Sequence, residues 1–181
     1  MRITGGALAR RPIDAPKGDR TRPTTDRVRE ALFSALGSRM ELRDARVLDL
    51  FAGSGALGLE AVSRGAAHAT LVERHGPTLA VARGNARQLG VADRVRTLRA
   101  DALAHLGAAV DTATRFDLVL ADPPYDLSEI PTLPGLVRPL LAPGGLFALE
   151  HDARHDFAEA DGLVFSRAYG RTVVSVFGAG A

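Results

Sequence analysis

The sequence contains no cysteine, which removes a disulfide framework and a thiolate metal site together. Its five histidines are scattered and form no short ligand motif, so no metal is expected. No apolar run approaches the roughly 20 residues of a membrane span. The opening MRITGGALARR lacks the apolar core of a secretion signal. The cytoplasm is therefore the expected location. Lysine is almost missing as well: Lys17 is the sole example, and every other basic side chain is arginine. Guanidinium groups suit bidentate phosphate contacts and stacking on bases.

What is present describes a soluble globular chain. Its 181 residues are 46% hydrophobic, enough for one domain with a real core. Charge is unevenly placed. Residues 1–29 hold eight Arg or Lys against three Asp, a net of +5, whereas residues 30–181 hold fifteen against eighteen, a net of −3. A basic end of this kind points to an anionic partner, with nucleic acid expected first.

Along the chain, residues 1–23 are basic and rich in turn formers. PTTDRVREALFSAL then has helical spacing, with Thr24 or Thr25 as cap, Asp26 in the first turn, and Val28, Leu32 and Leu36 every four residues. Five short apolar runs follow, at 46–50, 69–73, 94–99, 116–122 and 145–151. Helical periods separate them, at 55–65, 77–90 and near 102–109, with an irregular crossover before the last run. LVFSRAYG and RTVVSVF predict a closing hairpin around Gly170. Strands alternating with helices predict an open, mostly parallel α/β sheet. Ligands bind such sheets beyond the carboxyl ends of the strands, and those ends here carry Asp49, Glu73, Asp101 and Asp122.

The loop after the first strand reads FAGSGALGLEA. Its Gly53, Gly55 and Gly58 form a G-x-G-x-x-G pattern, and Glu73 follows Gly53 by twenty residues at the end of the next strand. The spacing matches a dinucleotide fingerprint. Asp49 argues against a dinucleotide, because a carboxylate beside the loop repels a pyrophosphate. S-adenosylmethionine has no phosphate and carries an ammonium and a sulfonium, which an acid-lined pocket favours. Asp49 is thus expected at the methionine amino end, Glu73 at the ribose and Asp101 at the adenine amino group. Ala52, Gly53, Ser54 and Gly55 of the loop, with Arg74, Ala102 and Asp122, complete the candidate cofactor set.

The fourth run ends in LVLADPPYDL. Pro123 and Pro124 extend neither a ladder nor a helix interior, so they hold the backbone rigid after the strand. The Asp122 carboxylate and the Pro123 carbonyl can accept hydrogen bonds from one NH2 group, and Tyr125 can stack on a flat base. An exocyclic amine is a poor nucleophile because its lone pair is delocalised into the ring. Two acceptors on its hydrogens localise the pair and aim it at a methyl group. Asp122, Pro123, Pro124 and Tyr125 are therefore the candidate catalytic set. Guanine N2, adenine N6 and cytosine N4 all satisfy this tetrapeptide.

VLDLFAGSGALGLEA, LVE and LVLADPPYDL resemble class I S-adenosylmethionine-dependent methyltransferases that act on amino groups. RPTTDRVREALF, the opening RITGGALARR and the closing YGRT resemble the RsmD-like family, so the resemblance spans nearly the whole chain. It implies methylation of a guanine N2 in 16S ribosomal RNA, with a preference for RNA already packaged with ribosomal proteins. It also implies a Rossmann-like, seven-stranded sheet of order 3-2-1-4-5-7-6, the last strand antiparallel, with helices on both faces. The expected organisation is a basic arm and helix over 1–40 and the methyltransferase domain over 41–181, acting as a monomer. Arg2, Arg10, Arg11, Lys17, Arg20 and Arg22 would hold RNA phosphates, with Arg27 and Arg29 at the cleft. Three rival readings are weaker. An adenine-N6 DNA methyltransferase lacks room for a target-recognition domain. An RNA-binding assembly factor has no need of an intact glycine loop with Asp122 and Tyr125. A NAD-dependent oxidoreductase calls for a second, substrate domain.

Overall fold

Runs such as RVLDL, apolar on both faces, can only be buried at the centre of a sheet covered on both sides. The computed structural model describes residues 1–16, 26–110 and 113–179. Its strands are β1 Arg46–Leu50, β2 His68–Val72, β3 Val95–Leu98, β4 Phe116–Ala121, β5 Leu141–Asp152, β6 Leu163–Tyr169 and β7 Thr172–Gly178. The helices are α1 Asp26–Gly37, α2 Ala56–Ser63, α3 Gly76–Leu89, α4 Ala102–Val110 and α5 Leu133–Val137. The sheet order is β3-β2-β1-β4-β5-β7-β6. Pairings from β3 across to β5 are parallel, and β7 is antiparallel to both its neighbours. This is the class I methyltransferase sheet that the resemblance implied.

Alternation along each strand divides the core in two. Val47, Leu71, Leu118 and Leu120 pack with Leu32, Phe33, Leu59, Ala82 and Leu89, on the side of α1, α2 and α3. Leu48, Leu50, Val119 and Leu149 pack with Leu106, Leu133 and Val137, on the side of α4 and α5. The predicted elements are all found, and most ends move by a residue or two. The strand expected at 145–151 begins earlier, at Leu141. Its pairing with β4 jumps from Phe116↔Leu141 to Leu118↔Leu146, so the turn-forming Pro143 and Gly144 sit in an irregularity. The expected caps Thr24 and Thr25 lie outside the described residues.

The start of the chain belongs to the same core. Ile3 and Ile13 are buried with the α1–α3 cluster. A bridge between Arg2 and Pro12 folds the arm back on itself. The arm is tied to α2 through Glu60, whose side chain is fully buried. Its carboxylate accepts from the Thr4 amide and hydroxyl and from the Gly5 amide, each at 2.7 Å, and from Arg64 Nε at 2.9 Å. Arg29 Nε of α1 lies 3.4 Å away. One buried carboxylate thus joins the arm, α1 and α2.

Removing that acid takes away one of the two carboxylates that face the buried Arg29 cation, the other being Asp26, and breaking such a buried pair costs up to about 3–5 kcal/mol. Glu60→Ala should show a loss of that size in urea unfolding and make residues 1–16 sensitive to protease. Glu60→Gln keeps an acceptor oxygen and should lose less.

Candidate active site

Because β1 to β4 run parallel, the segments that follow them emerge on one edge of the sheet. The loop 51–55 follows β1, Glu73 follows β2, Asp101 lies three residues past β3, and Asp122 follows β4. The loop is held by hydrogen bonds to β2 and Glu73 and within itself. Ala52 donates its amide to the Val72 carbonyl at 2.9 Å, and Gly55 donates to Ala52 at 2.7 Å. The Glu73 carboxylate accepts the Gly53 amide at 3.1 Å and the His75 amide at 2.7 Å. Gly53 has a φ of 56°, and a Cβ there would meet only the Phe51 carbonyl, at 3.9 Å. That flank of the loop is open for close approach of a ligand.

Asp49 lies beneath the loop with 1% of its surface exposed. Oδ2 accepts the Gly58 amide of α2 at 2.8 Å. Oδ1 has no hydrogen-bond partner. Burial pushes its pKa up to about 8 against the Gly58 bond, and the nearby Asp122 and Glu73 push it further the same way. The carboxyl is therefore largely protonated at neutral pH.

Asp101 is exposed, and its Oδ1 accepts the amides of Leu103 and Ala104 at 3.0 and 3.1 Å. It caps α4, and its second oxygen is not used in that cap. Beside it Ala102 is buried, as are Ala52 and Ser54. Arg74 is exposed, and its carbonyl accepts Arg99 Nε at 3.5 Å. At the end of β4, Asp122 and Tyr125 are half-buried, Pro123 is buried and Pro124 exposed. The Pro124 carbonyl accepts the Leu127 amide at 3.0 Å and closes the turn.

Residues passed over in the sequence also shape the site. Asn85 of α3 is fully buried. Its amide nitrogen donates to the Ser54 carbonyl at 2.9 Å and to the Asp14 carbonyl at 3.0 Å, and its oxygen accepts the Asp14 amide at 2.8 Å. It joins the glycine loop to the arm, and in sequence it is an ordinary polar position on a helix. Thr172 and Arg154 both bond to Tyr125.

The basic candidates separate. Arg29 is not at the cleft surface: its side chain is fully buried and bonds to the Arg2 carbonyl at 2.5 Å and to Asp26 at 2.7 Å. Its role is internal, and this corrects the expectation that it meets RNA. Arg11 is exposed but donates to the carbonyls of Leu89 and Gln88 at 2.8 and 2.5 Å, capping the end of α3. Arg2 is 65% exposed with its Nε 3.3 Å from Asp26. Arg10 and Arg27 are exposed. Lys17, Arg20 and Arg22 lie outside the described residues. Two open concavities, of about 540 and 230 Å³, lie at the opposite edge around Leu42 and Asp44 and include no candidate site residue.

The chain has relatives among known proteins. The sequence matches the family described as Conserved hypothetical protein 95 over residues 1–178. It is 36% identical to "Putative rRNA methyltransferase YlbH" of Bacillus subtilis (strain 168), covering 98% of each chain. It is 42% identical over 127 residues to Ribosomal RNA small subunit methyltransferase D of Escherichia coli (strain K12), covering 69% of this chain and 60% of that protein. The solved structure of yhhF from Escherichia coli superposes with a TM-score of 0.84 at 33% identity, covering 100% of this chain and 98% of that one.

The protonation of Asp49 has a measurable consequence. The folded carboxyl keeps its proton up to about pH 8, whereas the unfolded one loses it near the ordinary value of 3.8. The folded state therefore binds the extra proton in between, and stability falls as pH rises through that window. Asp49→Asn cannot ionise. Its urea midpoint should depend less on pH between 4 and 8 than that of the wild type.

Proposed function

This chain belongs to the Conserved hypothetical protein 95 family, the RsmD-like methyltransferases, and on that premise we propose that it methylates the exocyclic N2 amine of a guanine in 16S ribosomal RNA, with S-adenosylmethionine as methyl donor. The observation that carries this reading is one sheet edge holding both a buried acid with an unpaired oxygen, Asp49 Oδ1, and the rigid Asp122–Tyr125 turn. The names of the relatives support ribosomal RNA, and the small subunit in particular.

The residues present fit the cofactor. The open flank of Gly53 admits a close ligand. Burial keeps Asp49 protonated when nothing faces it; an ammonium group beside Oδ1 would favour the ionised carboxylate, whose free oxygen could then accept its hydrogen bond. Glu73 uses its carboxylate for two amides, and a carboxylate has about four acceptor sites, so it can still accept ribose hydroxyls. Asp101 Oδ2 is the acceptor for an adenine amine. When bound, S-adenosylmethionine supplies an electrophilic methyl group on sulfur.

The remaining work falls to the chain. Asp122 and the Pro123 carbonyl accept the two hydrogens of the target amine and orient its lone pair. The bond to Asp122 strengthens as the nitrogen gains positive charge, so it acts mainly on the chemical step. Tyr125 stacks on the base once it has left its own stack. The choice of guanine N2 over adenine N6 rests on the upstream RPTTDRVREALF signature, because the turn itself serves any planar amine. Phosphate contacts fall to the exposed arginines of the arm, Arg2 and Arg10, with Arg27 beside the cleft. The chain works as a monomer in the cytoplasm, on subunits already carrying ribosomal proteins.

Asp122→Ala should lose about 10²-fold in single-turnover rate at saturating S-adenosylmethionine. The assay is methyl transfer to small ribosomal subunits from cells lacking the gene, followed by nucleoside identification. Normal N2-methylguanosine formation by this variant would sink the mechanism. An N6-methyladenosine product would sink the substrate and leave the site standing. For the arm, Arg10→Ala with Arg27→Ala should flatten the salt dependence of subunit binding by about one to two counterions. Cofactor affinity should not change.

A further inference from the structure

Strand β7 is antiparallel to β5, so it begins where the parallel strands end. Its first residue, Thr172, pairs with Asp152 at the last position of β5. The tight turn between β6 and β7, at Gly170 and Arg171, therefore lies on the same edge as Asp122 and Tyr125. The closing YGRT motif occupies this turn, and nothing in the cofactor site uses it.

The contact is direct. The hydroxyls of Thr172 and Tyr125 share a hydrogen bond of 2.9 Å. Thr172 is 5% exposed, so its hydroxyl does not exchange this bond freely with water. At the other end of the same residue, Arg154 Nη2 donates to the Tyr125 carbonyl at 2.7 Å, and Arg154 Nε is pinned to Asp152 at 2.6 Å. The backbone of Tyr125 is thus held by Arg154 after two prolines that have already removed most of its freedom. The Thr172 bond fixes the far end of the side chain and so opposes swing of the ring about the Cα–Cβ bond.

We propose that Thr172 is a positioning residue for the target base: it holds the Tyr125 ring in the orientation in which the flipped guanine stacks. This rests on the assignment of Tyr125 as the stacking surface. A ring fixed in advance loses less side-chain entropy when the base arrives, so the benefit falls on substrate capture more than on the chemical step. The residues lie 47 positions apart, and neither belongs to the candidate cofactor set.

The experiment is a double-mutant cycle read by steady-state methylation of small ribosomal subunits lacking the modification. Thr172→Val preserves shape and removes the hydroxyl, and Tyr125→Phe preserves the ring and removes its partner. Each should raise KM for subunits by about three- to tenfold, the worth of one hydrogen bond, with a smaller change in kcat. The double variant should be no worse than either single one, and Thr172→Ser should restore KM. Affinity for S-adenosylhomocysteine should be unchanged throughout. Additive losses, or a wild-type KM for Thr172→Val, would overturn the proposal. If Thr172→Val fails to fold, a wild-type KM for Tyr125→Phe overturns it instead. Tyr125→Ala separates the two readings. Normal methylation by that variant removes the stacking surface itself, whereas a defect there beside a normal Thr172→Val removes only the positioning role.

Discussion

Helix α2 packs closely on side chains of the sheet at Gly58. A Cβ there would stand 2.3 Å from Leu71 Cδ2 and 3.1 Å from Asp49 Oδ2. This close approach lets the Gly58 amide reach the Asp49 carboxylate, which fixes the start of the helix over the end of β1. It also sets the direction of the rest of α2. Glu60, two residues on, then faces the arm and gathers Thr4, Gly5, Arg64 and Arg29. The glycine loop and the arm are therefore both tied to one helix. A side chain at 58 would displace the Leu71 methyl and crowd the Asp49 carboxylate.

The same edge concentrates acids that repel one another. Asp49 has its proton held on by burial, and Asp122 and Glu73 add to that. An acid kept neutral with one unpaired oxygen is a cost to the folded chain, and such costs gather at functional sites. A cationic group beside Asp49 would remove the repulsion and satisfy the oxygen together. The arm treats its charges in the opposite way. Arg29 and Arg11 are spent on internal acceptors, so the net charge of the first 29 residues overstates what is offered outward.

The rigid turn after β4 is assembled from three separate strand ends. Two prolines fix its path, Arg154 from beyond β5 holds its backbone, and Thr172 from the start of β7 holds its ring. The antiparallel last strand makes this possible, because a parallel strand would begin at the far edge. The topology that closes the sheet also braces the turn after β4.

Local patterns in the sequence were sufficient for much of this. Apolar runs and helical periods located the strands and helices to within a few residues, because burial on both faces and on one stripe leave different periods. The glycine spacing, the acids at strand ends and the Asp122–Tyr125 turn were legible because their chemistry is local. The order of the strands came from family resemblance, since spacing alone does not say which neighbours pair. What tertiary structure decided was the fate of side chains that meet partners far away. Arg29 was legible only as a surface cation because Glu60, 31 residues on, is what buries it. Asn85 carried no signal until Ser54 and Asp14 were brought to it. Thr172 was one letter of a closing motif, and its bond to Tyr125 exists because β7 reverses direction at that edge. Periodicity reports whether a residue faces a core, and only the folded chain decides what stands opposite it.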